Sequence, residues 1–199
     1  MSATHSACEL APSDDELMIR LQSGEASAFN HLVDRYQGLL VGFFIRNTRD
    51  VHFSEDLTQE TFLKLYHQFW DYVPLGRFRG WLFRIARNLL IDNVRRRAHD
   101  ALIRAVKRSS EEEQLGMARL VAELLPPERR LLTEELTTRI DERLQELPLD
   151  QRETFTLHVY SELPLAEVAQ ITGVPLATAK SRLRLAREKL AARLQGEVA

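Results

Sequence analysis

The segment Glu167-Val-Ala-Gln-Ile-Thr-Gly-Val-Pro-Leu-Ala-Thr-Ala-Lys-Ser-Arg182 decides the fold of the C-terminal part of the chain. Ala169 lies four residues before Gly173, and Ala179 lies six residues after it. A small residue such as Ala169 lets two helices approach closely, and glycine accepts the positive φ of a turn that ends a helix. Pro175 can begin the next helix because its φ is already set. This spacing is typical of a helix-turn-helix.

The helix-turn-helix, over about 163–190, is predicted to dock on duplex DNA through its second helix. That helix has one apolar face, formed by Leu176, Ala179, Leu183, Ala186 and Leu190. Its basic residues far outnumber its acidic ones, so it can neutralise phosphates as well as contact base edges. Arg182 is the best candidate for reading a base. The alternative is a solvated surface helix of an ordinary bundle, which the Ala, Gly and Pro spacing disfavours.

The rest of the chain is also predicted to be helical, because apolar residues recur at spacings of three and four and strand patterns are nearly absent. Ser13 and Ser54 are predicted helix N-caps, each followed by acidic residues. The fold class is therefore all-α, with two small helical domains joined by a linker. The boundaries are a tail over 1–13, a first domain over 14–97, an acidic linker over 98–133, a second domain over 134–193 and a tail over 194–199.

One predicted helix of the first domain is both basic and aromatic. Between Arg77 and Arg97 there are seven arginines and one acidic residue, Asp92. Aromatic rings stack on unpaired bases while arginines follow the phosphates, so this composition suits single-stranded DNA. Considered alone, the aromatic residues are more simply explained as core and the arginines as a solvated rim. The candidate residues are Arg77, Arg79, Trp81, Arg84, Arg87, Asn88 and Arg95.

The preceding helix carries an acidic patch with an apolar neighbour. Asp56, Gln59, Glu60 and Leu63 cluster away from its apolar stripe. Acidic residues repel DNA, so a functional role for this patch would be to meet a basic protein. Considered alone, an ordinary solvated helix face explains the patch more simply.

Composition excludes several other classes of protein. The 199 residues have a formal net charge of −2 and a single cysteine, Cys8, so neither an intramolecular disulfide nor a cysteine-rich metal site is expected. The histidines lack metal-ligand spacing, and no Gly-rich phosphate loop or recognisable nucleophile motif occurs. We therefore expect no enzyme activity, cofactor or metal. The start lacks a signal peptide and no long apolar run occurs, which predicts a cytoplasmic protein without a membrane span.

In this order, the three features resemble the extracytoplasmic-function group of the bacterial sigma-70 family. The segment Glu55-Asp-Leu-Thr-Gln-Glu-Thr-Phe-Leu63 is similar to region 2.2, and 78–97 is similar to regions 2.3 and 2.4. Leu147-Pro-Leu-Asp-Gln-Arg-Glu153 and the helix-turn-helix resemble region 4.

The resemblance implies a role for each surface in transcription initiation. Asp56, Gln59, Glu60 and Leu63 would bind core RNA polymerase. The loop 71–77 would capture a flipped base of the start-proximal promoter element, and the arginine-aromatic helix would support the melted strand. Upstream promoter DNA would be contacted by Thr178, Lys180, Ser181, Arg182 and Arg184.

Two questions stay open at the level of sequence. A free-standing helix-turn-helix regulator is the alternative to a sigma factor, and binding to core polymerase would distinguish the two. The resemblance also adds an anti-sigma protein as a candidate partner, although no residue of the chain identifies one.

Overall fold

The computed structural model describes the backbone of residues 11–105 and 140–195, and the side chains of residues 11–96 and 140–193. In the described parts, all of the regular secondary structure is helical. The predicted linker from residue 106 onward, most of the N-terminal tail and the last four residues lie outside the described residues. Within the described residues, no helix is both long and apolar enough to cross a membrane.

The first domain contains four helices, namely α1 (Asp14–Gln22), α2 (Ser27–Thr48), α3 (Val51–Gln68) and α4 (Phe78–Ala105). A single 3₁₀ turn, Phe69–Asp71, follows α3. The loop 71–77, which overlaps the last residue of this turn, connects it to α4. Helix α4 continues past Arg97, the predicted end of the first domain.

Helix α1 begins as its sequence predicts. The Ser13 hydroxyl accepts a hydrogen bond from the Glu16 amide (3.2 Å), and the Glu16 carboxylate accepts one from the Ser13 amide (2.7 Å). This reciprocal capping box satisfies amide donors that the first turn of a helix leaves unpaired.

The predicted N-cap of α3 is wrong. The helix begins at Val51, and the Asp50 carboxylate caps it by accepting from the Phe53 amide at 2.9 Å. Ser54 is fully buried inside the helix, where its hydroxyl donates to the Asp50 carbonyl at 2.6 Å. Asp and Ser are about equally good N-caps, so composition alone did not distinguish the two positions.

The predicted apolar stripes form the core of the first domain. Phe78, Leu82 and Leu89 of α4 are buried against α2 and α3, as their spacing predicted. Aromatic edge contacts join the helices, with Tyr36 and Phe78 ring centroids 5.3 Å apart and those of Phe43 and Phe83 5.6 Å apart.

The second domain contains α5, α6, α7 and α8. Residues 140–144 of α5 are described, and α6 (Leu149–Phe155) continues into a π-helical turn, Thr156–Tyr160. Helices α7 (Leu165–Thr172) and α8 (Leu176–Gln195) form the helix-turn-helix. Gly173, at the end of α7, has the positive φ (69°) that its position in the motif requires. A local core contains Leu144, Leu147, Phe155, Leu183, Ala186 and Leu190.

The two domains pack against each other. Leu157, Leu163, Val168 and Ile171 of the second domain belong to the same buried cluster as the core of the first. Helix α7 lies against α4, and the π-helical turn lies against α2. The contact between domains is therefore partly hydrophobic, not only polar.

Candidate nucleic-acid interface

The outer face of α3 is exposed and mixed in character. Asp56, Gln59, Glu60 and Leu63 are all exposed, and the Leu63 side chain is 59% accessible. Their spacing of three, four and seven residues places them on one face, opposite the buried Leu57 and Leu65. We call these four residues the α3 outer face. Such a surface suits a protein partner that is basic and partly apolar.

Several candidate residues of α4 point away from the core. Arg84, Asn88 and Arg95 are exposed on α4, and Arg77 is exposed where the 71–77 loop ends. Trp81 is half-buried because its ring packs on Tyr72, with centroids 5.2 Å apart. The exposed arginines are free to follow a phosphate backbone, whereas Trp81 has one covered face.

Arg87 is engaged by the second domain. Its Nε lies 2.5 Å from Oε1 of Glu153, a residue that is 2% exposed. A carboxylate so deeply buried depends on its charged partner, because desolvation strongly disfavours an unpaired charge. This ion pair therefore ties α4 to α6.

Arg79 also contacts the second domain, but at the surface. Its Nη1 lies 2.8 Å from Oε2 of Glu162, which is 73% exposed in its side chain. Its guanidinium carbon is 6.0 Å from the centre of the Tyr36 ring, at the outer limit for a cation–π contact. Arg79 and Arg87 were predicted to contact DNA, and in the structure both are paired with acids of the second domain.

A third polar contact between the domains is centred on Arg46 of α2, which is 7% exposed. Its Nε lies 2.9 Å from Oδ1 of Asp141, and its guanidinium stacks 3.8 Å from the centre of the Tyr160 ring. Burial raises the pKa of Asp141, while Arg46 opposes that shift. Asn47 adds a 3.2 Å hydrogen bond to the Thr156 hydroxyl.

A cavity of about 260 Å³ lies where the 71–77 loop, α4 and α7 meet. Tyr72, Trp81 and Arg84 line it from the first domain, and Glu167 lines it from the second. Gly80 lies directly against the Glu167 carboxylate, so that a side chain at this position would displace it. The cavity combines an aromatic wall with an arginine, which suits a flat group next to a phosphate.

The predicted reading face of α8 is largely exposed. Lys180, Ser181 and Arg184 are exposed, and Thr178 is half-buried. Arg184 is paired with Glu188 of the same helix at 2.7 Å. Arg182 is half-buried, with its Nε 3.1 Å from Oδ2 of Asp150 at the start of α6.

The acidic side chains of the second domain that meet α4 could not be predicted from sequence patterns. Glu153, Glu162 and Glu167 carry no local signal, because each meets a residue more than sixty positions away. Asp150, which pairs with Arg182, lies 32 positions before it and likewise carries no local signal. Among the residues that the structure describes, no group of three or more His, Cys, Asp or Glu side chains could hold a metal ion.

Comparison with known proteins agrees with this architecture. The sigma-70 region 2 model matches residues 32–100, and the model for sigma-70 region 4 matches residues 137–190. The ECF RNA polymerase sigma factor SigW of Bacillus subtilis is 30% identical over 185 residues, which cover 90% of this chain and 98% of SigW. The RNA polymerase sigma-H factor of Pseudomonas aeruginosa is 31% identical and matches 92% of this chain and 94% of its own length.

Solved structures show the same fold. CnrH, solved with the cytosolic domain of CnrY, has a TM-score of 0.65 at 24% identity and covers 93% of this chain and 99% of its own. RpoE of Bartonella quintana, solved with the anti-sigma factor NepR, has a TM-score of 0.66 at 24% identity, covering 84% and 96%. The family models and relatives confirm the expected two-domain, all-helical architecture. The chain belongs to the sigma-70 family, in the extracytoplasmic-function group of RNA polymerase sigma factors.

Proposed function

We propose that this sigma factor binds core RNA polymerase through the α3 outer face and uses α4 and α8 to recognise and open promoter DNA. The observation that carries the proposal is the separation of surfaces. An acidic and apolar face on α3 stands apart from two basic helices, α4 and α8, each in its own domain. One protein-binding surface and two nucleic-acid-binding surfaces are what a promoter-specificity subunit needs.

The α3 outer face suits a protein surface better than DNA. Asp56 and Glu60 would repel phosphates, whereas the exposed Leu63 side chain can be buried by a partner. Tyr66 and Trp70, which are 49% and 66% exposed, extend the apolar area toward the 3₁₀ turn. The partner is a basic and partly apolar surface of core polymerase.

Strand opening is assigned to α4 and the 71–77 loop. The aromatic wall and Arg84 of the cavity support capture of one unpaired base. Arg77, Asn88 and Arg95 would then contact the backbone of the separated strand.

Upstream recognition is assigned to the N-terminal half of α8. A helix of a helix-turn-helix enters the major groove with its first residues near the base edges. Thr178, Ser181 and Arg182 lie in that half, and Lys180 and Arg184 add positive charge for the phosphates. Arg182 is the base reader because its guanidinium can donate two parallel hydrogen bonds to guanine.

Promoter binding requires the two domains to separate. Arg87 cannot contact DNA while the buried Glu153 holds it, Arg79 is paired with the exposed Glu162, and Glu167 of α7 occupies one wall of the base-capturing cavity. Binding to polymerase and DNA would supply new partners for these groups. We call the arrangement in which the two domains pack together the closed arrangement. It is accordingly the one that precedes promoter binding.

Three further expectations belong to this proposal. The chain performs no chemistry of its own and leaves polymerisation to the core enzyme. It acts in the cytoplasm, where polymerase and DNA are found. An anti-sigma protein is a candidate partner, since the similar RpoE of Bartonella quintana was solved with the anti-sigma factor NepR, and CnrH was solved with the cytosolic domain of CnrY. A free-standing regulator is disfavoured, since the relatives are named as sigma factors.

The experiment combines a core-polymerase pull-down at low salt with runoff transcription. Asp56→Arg should weaken core binding by about tenfold or more, because a reversed charge faces a basic partner. Asp34→Arg, an equal charge change at an exposed position of α2, is the control and should bind as the parent does. Failure of the parent chain to bind core at low salt would overturn the proposal. Equal loss for both variants would remove the α3 outer face from it.

A further inference from the structure

The 71–77 loop has little support of its own. After the 3₁₀ turn it has no regular secondary structure, and Val73 and Leu75 are 63% and 71% exposed. A long 3.3 Å hydrogen bond from the Tyr72 amide to the Phe69 carbonyl joins the loop to the turn. An exposed loop with so few internal contacts would sample many conformations unless other elements fixed it.

Helix α1 holds this loop at both ends. At the start of the loop, the side-chain amide of Gln22 donates through Nε2 to the Phe69 carbonyl (2.8 Å) and to the Tyr72 carbonyl (2.9 Å). At the other end, the Asp15 carboxylate accepts from the Gly76 amide (2.6 Å) through one oxygen and from the Tyr72 hydroxyl through the other. One carboxylate therefore fixes the distance between residues 72 and 76.

The loop conformation that Asp15 holds is a specific one. Gly76 has a φ of 69°, in the left-handed region that other residues adopt only with strain. Its amide points at the carboxylate because of this conformation. Hydrogen bonds to a charged acceptor are about twice as strong as neutral ones, so Asp15 stabilises this turn over its alternatives.

The anchor itself is rigid. Asp15 lies in the first turn of α1, which the capping box of Ser13 and Glu16 fixes. Its neighbour Asp14 joins the same turn to α2 by accepting from the Arg35 guanidinium and the Tyr36 hydroxyl. The two adjacent acids have separate tasks, since Asp14 contacts the scaffold and Asp15 contacts the loop.

The anchored end of the loop reaches the cavity directly. The Tyr72 ring lies 5.2 Å from the Trp81 ring and 5.6 Å from the Phe78 ring. Burial, the hydrogen bond to Asp15 and the charge of Asp15 raise the pKa of the Tyr72 hydroxyl further above neutral pH, where it is already protonated and donates to the carboxylate. A shift of the loop would therefore move the aromatic wall of the cavity.

We infer that Asp15 and Gln22 are positioning residues that fix the 71–77 loop in the shape that selects the captured base. The inference rests on the proposed function, because it assigns α1 a part in promoter reading. Neither residue lines the cavity, and both act on it through the loop and through Tyr72, which does line it. Their effect is thus on base preference, since a site that is held loosely discriminates poorly.

The test is runoff transcription by the full chain with core polymerase. The templates form a library of promoter fragments with a fixed upstream element and a randomised start-proximal element. Sequencing of the transcribed templates gives the base preference at each position. Asp15→Asn should weaken the charge-assisted hydrogen bond that holds the loop in its base-selecting shape. The base preference at one position should therefore fall on the order of tenfold. Preferences at the other positions should change little.

Asp34→Asn is the control, because it removes one negative charge from an exposed side chain of α2 that makes no hydrogen bond to α1 or to the loop. It should keep the preference of the parent at every position. Unchanged preference in Asp15→Asn, or an equal loss in Asp34→Asn, would overturn the inference while leaving the proposed function in place. A parent chain that gives no transcript would overturn both.

Gln22→Ala keeps the inference testable if Asp15→Asn does not fold by circular dichroism. It removes the donors at the other end of the loop without removing a charge. The same position of the promoter should lose preference, and core binding should match the parent. A preference identical to that of the parent would contradict the inference.

Discussion

The α3 outer face and the basic side of α4 differ in how the folded chain treats them. Within the described residues, Asp56 and Glu60 form no ion pair, and Leu63 is exposed. On α4, Arg79 and Arg87 are paired with acids of the second domain. The surface proposed for polymerase is therefore available in the closed chain, whereas part of the surface proposed for DNA is covered. The difference favours binding to polymerase before binding to DNA.

The largest expected effect comes from breaking the buried ion pair that covers α4. Glu153→Ala leaves Arg87 without its partner at the domain contact, and removal of one member of a buried pair costs about 3 to 5 kcal/mol. We expect a lower free energy of unfolding and more frequent separation of the domains. The measurements are thermal unfolding and energy transfer between dyes on exposed positions of α3 and α8.

Glu142→Ala is the control for this variant, since it removes an exposed acid from the same domain. It should change neither measurement appreciably. If Glu153→Ala left the energy transfer of the parent unchanged, the Arg87 pair would not hold the domains together. The apolar contacts between the domains would then be what keeps α4 covered.

An intermediate effect is expected at Arg182, the proposed base reader, whose acidic partner Asp150 lies within its own domain. Arg182→Ala should cost on the order of 1 to 3 kcal/mol in upstream-element binding and relax the preference at one base pair. Lys189→Ala, farther along α8, should weaken binding evenly across sequences and lower the salt slope by about one. Titration of both variants with promoter and scrambled duplexes at several salt concentrations measures the affinity, the base preference and the salt slope. An unchanged preference in Arg182→Ala would remove it from the reading face.

The smallest effect is expected at the surface pair of Arg79 and Glu162. The Glu162 side chain is 73% exposed, and exposed pairs contribute about 0 to 1 kcal/mol because water and salt screen them. Glu162→Gln should therefore shift the unfolding midpoint only slightly, and less at high salt than at low salt. If Glu162→Gln lowered the unfolding midpoint as much as Glu153→Ala does, burial would not determine how much each ion pair contributes to stability.

Much of the fold could be predicted because it depends on local patterns. The apolar spacing of α2 and α4 gave their buried faces, and Gly173 gave the turn of the helix-turn-helix. The N-cap of α3 was misplaced because Asp50 and Ser54 offer similar capping groups. Such a choice depends on the burial of Ser54, which only the tertiary structure determines.

The candidate site was predictable in part, for the same reason. The exposed α3 outer face follows from helical spacing within one segment. The pairing of Arg87 with Glu153 does not, because it joins residues from different domains. The contacts of Asp15 with Tyr72 and Gly76 were likewise missed, since an acid in the first turn of a helix is explained by the helix dipole alone.

The hydrophobic cluster that includes Leu157, Leu163, Val168 and Ile171 together with the core of the first domain has a thermodynamic consequence. Residues that share one core unfold cooperatively, so the two sequence domains should melt in a single transition. Separation without unfolding exposes apolar surface to water and carries a positive heat-capacity change. Cooling weakens these contacts, and salt screens the exposed ion pair beside them. Temperature therefore acts on the closed arrangement through the apolar contacts between the domains, and ionic strength acts on it through the exposed ion pair.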